Sequence, residues 1–259
     1  MKLINKQISL LIVIIFMGSF AACAQQNGDE MKPEDTEWYS PIPAKVTPSD
    51  DHYMKPPSDA IVLFDGEDVS QWKSSDGGEV PWEVESGQLT VRPGTGDIET
   101  RDSFGSFQLY IEWRPPGNDT LEGQDKGNSG IFLQNRYELQ VLNAFENPTY
   151  VNGMAGSIYK QTAPLVNPSK KPGQWESYNI AYTAPEFNED GSVASPARVT
   201  VIWNGVVVQN NTKIKGNTPY VGLPEYKPHG KAPIRLQDHN SKVSYRNIWI
   251  RDLDRKDEE

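Results

Sequence analysis

GNSGIFLQNRYELQVLN, residues Gly127 to Asn143, is the stretch from which the fold can be read. A polar turn (Gly127, Asn128, Ser129, Gly130) leads into an apolar strand over Ile131 to Gln134. A tight turn at Asn135-Arg136 then returns the chain into a second strand, Tyr137 to Asn143. Strand side chains alternate between faces, so Glu138, Gln140 and Leu142 share one face and Tyr137, Leu139 and Val141 the other. A carboxyl beside an amide on one sheet face, next to a Gly-rich turn, has the makings of the floor of a polar site. Taken alone, such a pair more often marks a solvated strand face, so the rest of the chain has to decide.

The same alternation recurs on both sides. Ile61 to Phe64 is a short apolar strand stopped by the turn dipeptide Asp65-Gly66. Strands follow at Trp82–Val84, Gln88–Val91, Phe107–Trp113, Ser177–Tyr182 and Arg198–Trp203, punctuated by Gly, Pro, Asn or Asp. Asn204-Gly205, between Val201-Ile202-Trp203 and Val206-Val207-Val208, signals a hairpin, because a type I′ turn needs positive φ at both central residues. Ile234–Gln237 and Val243–Ile250 close the series. No run of about 12 residues carries a helical period, and there is no internal repeat. Short alternating strands over residues 59–253 predict one all-β domain, a two-sheet antiparallel jelly-roll sandwich. The longest insertions (Pro115–Lys126, Ala144–Gln174, Pro185–Pro196, Lys213–Pro233) are expected around the sheet edges, where sites are commonly built.

The chain has 259 residues, with seven Trp and eleven Tyr to fill a large core. Its formal net charge of −10 argues against a nucleic-acid partner, whose phosphates need a basic surface. Much of the acid sits at the ends, including Glu34, Asp35 and Glu37 and an acidic tail over residues 254–259. Residues 1–22 read as a signal peptide, with Lys2 and Lys6, the apolar run Ile8 to Met17, then small residues. Phe20-Ala21-Ala22-Cys23 resembles the lipobox of bacterial lipoproteins, which implies lipidation of Cys23. The expected location is the cell envelope, periplasmic or outer surface, with membrane contact through the lipid anchor alone. Cys23 is the only cysteine, so a mature domain has no disulfide. Residues 23–58 are polar and proline-rich and read as a tether, with Trp38 and Tyr39 available to pack on the domain.

Three strands offer faces rich in polar groups. Gln108, Tyr110, Glu112 and Arg114 share one; Arg235, Gln237 and His239 share another; Glu138 and Gln140 form the third. A groove lined by carboxylates, amides and Arg, rimmed by Trp and Tyr, suits a sugar, whose hydroxyls need polar partners and whose C–H faces stack on rings. His239 directly follows such a strand, whereas His52 falls in the tether and His229 in a Pro/Gly loop. Most glycosidases place two carboxyl groups across the scissile bond. Here Gln140 and Asn143 stand where a jelly-roll glucanase would carry its further acids. Glu138 with His239 would instead supply an acid and a base of different kinds. No HxH, HExxH or CxxC spacing exists, although a divalent ion held by Glu, His and Asp from separate strands stays open. No Ser or Cys nucleophile context and no phosphate loop is present.

The chain from Ile61 to Leu253 resembles the 3-keto-disaccharide hydrolase domain family. The matching pieces run in order: LFDGEDVSQW (Leu63 to Trp72), GDIET (Gly96 to Thr100), FGSFQLYIEWR (Phe104 to Arg114), NSGIFLQ (Asn128 to Gln134), YELQVLN (Tyr137 to Asn143), GSIYK (Gly156 to Lys160), GQWESYNI (Gly173 to Ile180), WNG (Trp203 to Gly205) and IRLQDHNSKVSYRNIWIRDL (Ile234 to Leu253). Asn143 stands where the family pattern commonly has Asp, and Glu176 where it often has Asn. The resemblance implies a concanavalin A-like jelly roll of the lectin/glucanase type. It also implies action on glycosides whose glucose ring a partner sugar dehydrogenase has oxidised to a ketone at C3. A C3 ketone acidifies the C2 proton, so a base can form an enolate, the C1 group can leave by elimination, and water can add to the enone. On that scheme Glu138 and His239 are base and acid, in an order left open. Gln140, Arg114, Lys160 or a divalent ion would stabilise the C3 oxyanion. Glu112, Asn128 and Gln237 would position hydroxyls. The alternatives are a non-catalytic carbohydrate-binding module and an ordinary glycosidase with Glu112 as second acid.

Overall fold

Two antiparallel sheets face each other in a computed structural model that describes residues 30–48 and 53–254. The stretch expected to be a signal peptide, Cys23 and the tail past Asp254 lie outside the described residues. The larger sheet runs Val206–Lys213, Arg198–Trp203, Glu176–Thr183, Phe107–Arg114, Ser244–Asp252, Gln88–Thr90, Glu83–Glu85, with Ile61–Phe64 also paired to Ser244–Asp252. The smaller runs Trp72–Ser74, Ile98–Thr100, Arg235–Leu236, Ser129–Leu133, Tyr137–Val141. Among the described residues the only helical pieces are three short 3-10 turns. None is long and apolar enough to cross a membrane. The expected jelly-roll sandwich is what forms.

The alternation seen in the sequence builds the core. Leu109, Ile111 and Trp113 point inward from the larger sheet and meet Ile131, Leu139, Val141 and Leu236 from the smaller, all at 0% exposure. Each such side chain contributes about 1.5–3 kcal/mol by leaving water. Three phenols cross between the sheets: Tyr178 donates to Gln140 O (2.9 Å), Tyr182 to Gln134 Oε1 (2.7 Å), and Tyr245 shares a 2.6 Å bond with Ser129 Oγ. A buried phenol needs a partner, and these partners tie the smaller sheet to the larger at its two site-bearing strands.

The Asn204-Gly205 hairpin forms with positive φ at both residues (50° and 78°). Glu176 holds it from the neighbouring strand: its carboxylate accepts from Asn204 Nδ2, Trp203 Nε1 and Lys170 N. The other hairpin turns one residue earlier than expected, with Gln134 and Asn135 at positive φ (49° and 56°). Gln134 is buried and pinned there by Phe104 O and Tyr182 OH. Leu142 also departs from its expected face. Pairing ends at Ser129–Val141, so the period of two lapses and Leu142 turns into the core.

The proline-rich segment is no free tether over residues 31–46. Ala44–Lys45 pairs in parallel with Val166–Asn167. Asn152 receives Trp38 N at Oδ1 and donates from Nδ2 to Thr36 O, both at 2.9 Å. An extended Pro-rich strand has no internal hydrogen bonds, so its backbone groups are available to the domain. Tyr39 meets Tyr150 edge-on, as its packing role requires.

Candidate functional site

Register places the polar side chains of the smaller sheet in two rows across three strands. Arg235 pairs with Phe132, and Phe132 with Glu138. One step along, Gln237 N donates to Gly130 O, and Gly130 pairs with Gln140. The face opposite the core therefore reads Arg235–Phe132–Glu138 and Gln237–Gly130–Gln140. Gly130 leaves a hollow in the second row. A Cβ there would lie 2.8 Å from Glu138 Oε1.

A cavity of about 440 Å³ stands on this floor, with Asn128 and His239 also lining it. That is a size suited to a small ligand. His239 is exposed and sits at the rim. Insertions supply the walls: Gln124 and Asp125 from one, Tyr150 and Tyr159 from a second, Thr218 and Tyr220 from a third, and Glu37 from the N-terminal segment.

The floor is rich in hydrogen-bond acceptors. Gln140 Nε2 donates to Gln124 Oε1 and Gly153 O, both at 3.1 Å, which turns Oε1 away from them. Asn128 Nδ2 donates to Gln124 O at 2.6 Å. Gln140 Oε1, Asn128 Oδ1 and Gln237 Oε1 are all buried without a hydrogen-bond partner among the described residues. Leaving a buried polar atom unmatched costs about 1–3 kcal/mol. All three belong to residues that line the one cavity, so the polar groups around it are under-satisfied.

Glu138 is 6% exposed. Burial pushes its carboxyl up to about 8, against the pull of Arg235 and with a small upward push from Asp97. It therefore carries its proton at neutral pH. Arg235 is oriented by a 2.6 Å ion pair from Nη1 to Asp97 and lies 3.8 Å over the Phe132 ring. Its Nε is buried and has no partner among the described residues. The other described histidine, His229, is structural: Nδ1 faces Gly230 O and Nε2 faces Tyr137 OH, and burial lowers its pKa.

Glu138, His239, Gln140, Asn128 and Gln237 thus come together as the strand faces suggested. Glu112 and Arg114 do not. They belong to the larger sheet, on its face away from the core, and sheet stacking of about 10 Å separates that face from the pocket. Glu112 is 3% exposed and saturated by Arg246 (2.7 Å), Asn247 (2.8 Å) and Tyr110 (3.3 Å). Arg114 bonds Gln88 at 2.6 Å and lies over Trp175. Alternation shows which side chains share a face, but not which sheet a strand joins. Lys160 borders the pocket but is committed: Nζ donates to Pro33 O (2.8 Å) and Tyr220 O (3.1 Å) and lies 3.6 Å from Glu37. It is a strut, and Arg235 replaces it as the cation nearest the floor. Only Arg235 carried a sequence signal, its alternation with Gln237 and His239. The wall residues carried none. No group of three His, Cys, Asp or Glu among the described residues is placed to hold a metal ion.

The sequence pattern of the 3-keto-alpha-glucoside-1,2-lyase-like domain matches residues 59–251. The chain belongs to this family. A crystal structure from Parabacteroides distasonis ATCC 8503 at 2.13 Å, described as a candidate glycosyl hydrolase, is 54% identical to it. The match covers 85% of this chain and 96% of that one, with a TM-score of 0.76. A second structure from the same organism, likewise described, is similar in fold: 22% identity, 75% and 94% coverage, TM-score 0.56. No curated protein matches the chain. The resemblance carried by the ordered motifs is borne out, and it puts the chain in a carbohydrate-acting family. The lyase-like domain begins at residue 59, so the wall residue Glu37 lies upstream of it.

Proposed function

We propose that the domain cleaves the glycosidic bond of 3-keto-glycosides by elimination and then hydrates the product. His239 takes the C2 proton, and the C2–H electrons form an enolate with the C3 oxygen. The enolate collapses: C3=O re-forms, C1=C2 forms, and the C1–O bond breaks. Glu138, protonated at neutral pH, gives its proton to the departing oxygen. Water then adds across C1=C2 to give the 3-keto sugar. Arg235 supplies the positive charge on the floor that stabilises the C3 oxyanion, and the side chains of Gln140, Asn128 and Gln237 position ring hydroxyls.

The observation that carries this reading is Glu138 itself. It is a buried carboxyl held protonated, and its neighbours on the floor, Phe132, Arg235, Gly130, Gln140 and Gln237, include no second acid; the cavity's other acids, Asp125 and Glu37, stand on its walls, and Glu37 is engaged by Tyr39 and Lys160. A paired-carboxylate glycosidase needs one close across the bond, and Glu112 sits in the wrong sheet for that part. The substrate's ketone must come from a sugar dehydrogenase. The FAAC sequence at Phe20–Cys23 supports a lipid-anchored site at the cell envelope.

The test is turnover of 4-nitrophenyl 3-keto-α-glucoside in D2O, read by NMR. Elimination and hydration place deuterium at C2 of the released sugar. Release without deuterium at C2, or cleavage of the unoxidised glucoside alone, refutes the scheme. Sugar binding without turnover would instead assign a carbohydrate-binding module.

A further inference from the structure

The pocket is not completed by the family domain alone. Glu37 lines it from a segment that precedes residue 59, where the family match begins. Its side chain is 10% exposed, and each carboxylate oxygen has one neighbour that holds it: Oε2 accepts Tyr39 OH at 2.7 Å and Oε1 lies 3.6 Å from Lys160 Nζ. A clasp holds the segment in place. Asn152 binds Trp38 N and Thr36 O, and Lys160 Nζ binds Pro33 O. Lys160 N in turn donates to Asn152 O at 2.7 Å, which joins the two halves of the clasp. Lys160 adopts a left-handed φ of 56°, uncommon for a long side chain, and its ammonium lies 4.8 Å from the Tyr220 ring centre. One residue thereby fixes the N-terminal segment and the Tyr220 loop on the same side of the cavity.

We propose that Glu37 is a substrate-binding residue, contributed from outside the family domain and held in position by Tyr39 and Lys160. It rests on the reading of this pocket as a sugar site. A carboxylate accepts two hydrogen bonds per oxygen, so Glu37 retains acceptor capacity for hydroxyls of the part of the glycoside that reaches past the floor. Its place on a wall, and not on the floor with Glu138, makes it a determinant of which glycoside is held.

The experiment compares the full-length wild type with Glu37→Gln, Glu37→Ala and Tyr39→Phe. KM and kcat are measured on 4-nitrophenyl 3-keto-α-glucoside, and equilibrium binding on methyl α-glucoside and 3-keto-glucose by calorimetry. Loss of a charge-assisted hydrogen bond raises KM by about ten- to a hundredfold in Glu37→Ala, with kcat falling far less. Glu37→Gln lies between. Tyr39→Phe leaves the exposed ring in place, removes the bond that aims Glu37, and raises KM about fivefold. An unchanged KM in Glu37→Ala overturns the proposal and leaves the elimination scheme standing. Sugar binding that depends on Glu37 without turnover upholds Glu37 and refutes the scheme. No sugar binding by the wild type overturns both.

Discussion

Replacing Glu138 by Gln removes a proton-binding site from the pocket floor while keeping its size, and the consequence is visible in stability before any substrate is added. The carboxyl titrates near its ordinary 4.5 in the unfolded chain and near 8 in the folded one, because burial penalises the charged form. Between those values the folded state holds a proton that the unfolded state has lost, so stability falls as pH rises, by up to about 1.4 kcal/mol per pH unit. Below 4.5 both states are protonated and the effect vanishes. From pH 4 to pH 7 the wild type loses about 3 kcal/mol through this one group, a loss the Gln variant does not share. Urea titrations of both proteins at pH 4, 5, 6, 7 and 8 would measure it. The difference in unfolding free energy should widen in favour of Glu138→Gln by about that amount up to pH 7. A difference that stays flat with pH would mean Glu138 ionises normally, and the role of proton donor would fall with it.

Catalytic efficiency should decline as pH rises through about 8, when Glu138 loses the proton it donates, as a pH–rate profile of kcat/KM would record. His239→Ala should cost about 10²–10⁴-fold in kcat with an unchanged melting temperature, since the side chain is exposed at the rim. Gly130→Ala should cost tenfold or more in activity, because its Cβ would meet Glu138 Oε1 at 2.8 Å and displace the carboxyl. Glu112→Ala should leave substrate affinity intact but destabilise the domain by about 1–2 kcal/mol in urea, since Asn247 and the part-exposed Arg246 lose their shared partner.

The sandwich was legible because its signals are local. The alternation in Tyr137 to Val141 sends three apolar side chains to the core, and Asn204-Gly205 takes the two positive φ values its chemistry allows. The floor was legible for the same reason: Glu138 with Gln140, and Gln237 with His239, are spacings of two along single strands. What failed was long-range. Glu112 and Arg114 alternate just as well, but which sheet a strand joins depends on pairing between distant segments, and Phe107–Arg114 pairs with Glu176–Thr183 and Ser244–Asp252. Lys160 had the right charge, yet its bonds run to Pro33 and Tyr220, residues 127 and 60 positions away. Glu37 and Tyr220 reach the pocket on segments without any period, so nothing in their neighbours' identities could announce it.

The charges around the cavity also bear on which sugars it would admit on the proposed function. Its floor and walls present amide oxygens and Asp125, and the two nearby cations are each matched by an acid, Arg235 by Asp97 and Lys160 by Glu37. A uronate or a sugar phosphate would bring an unpaired anion against these oxygens. Two like charges 4 Å apart at a protein surface repel by about 4 kcal/mol. On the proposed function, an acidic sugar would meet this cost before any hydroxyl is matched. A neutral glycoside would meet no such cost, so the first property of a sugar to which this pocket would respond is its lack of charge.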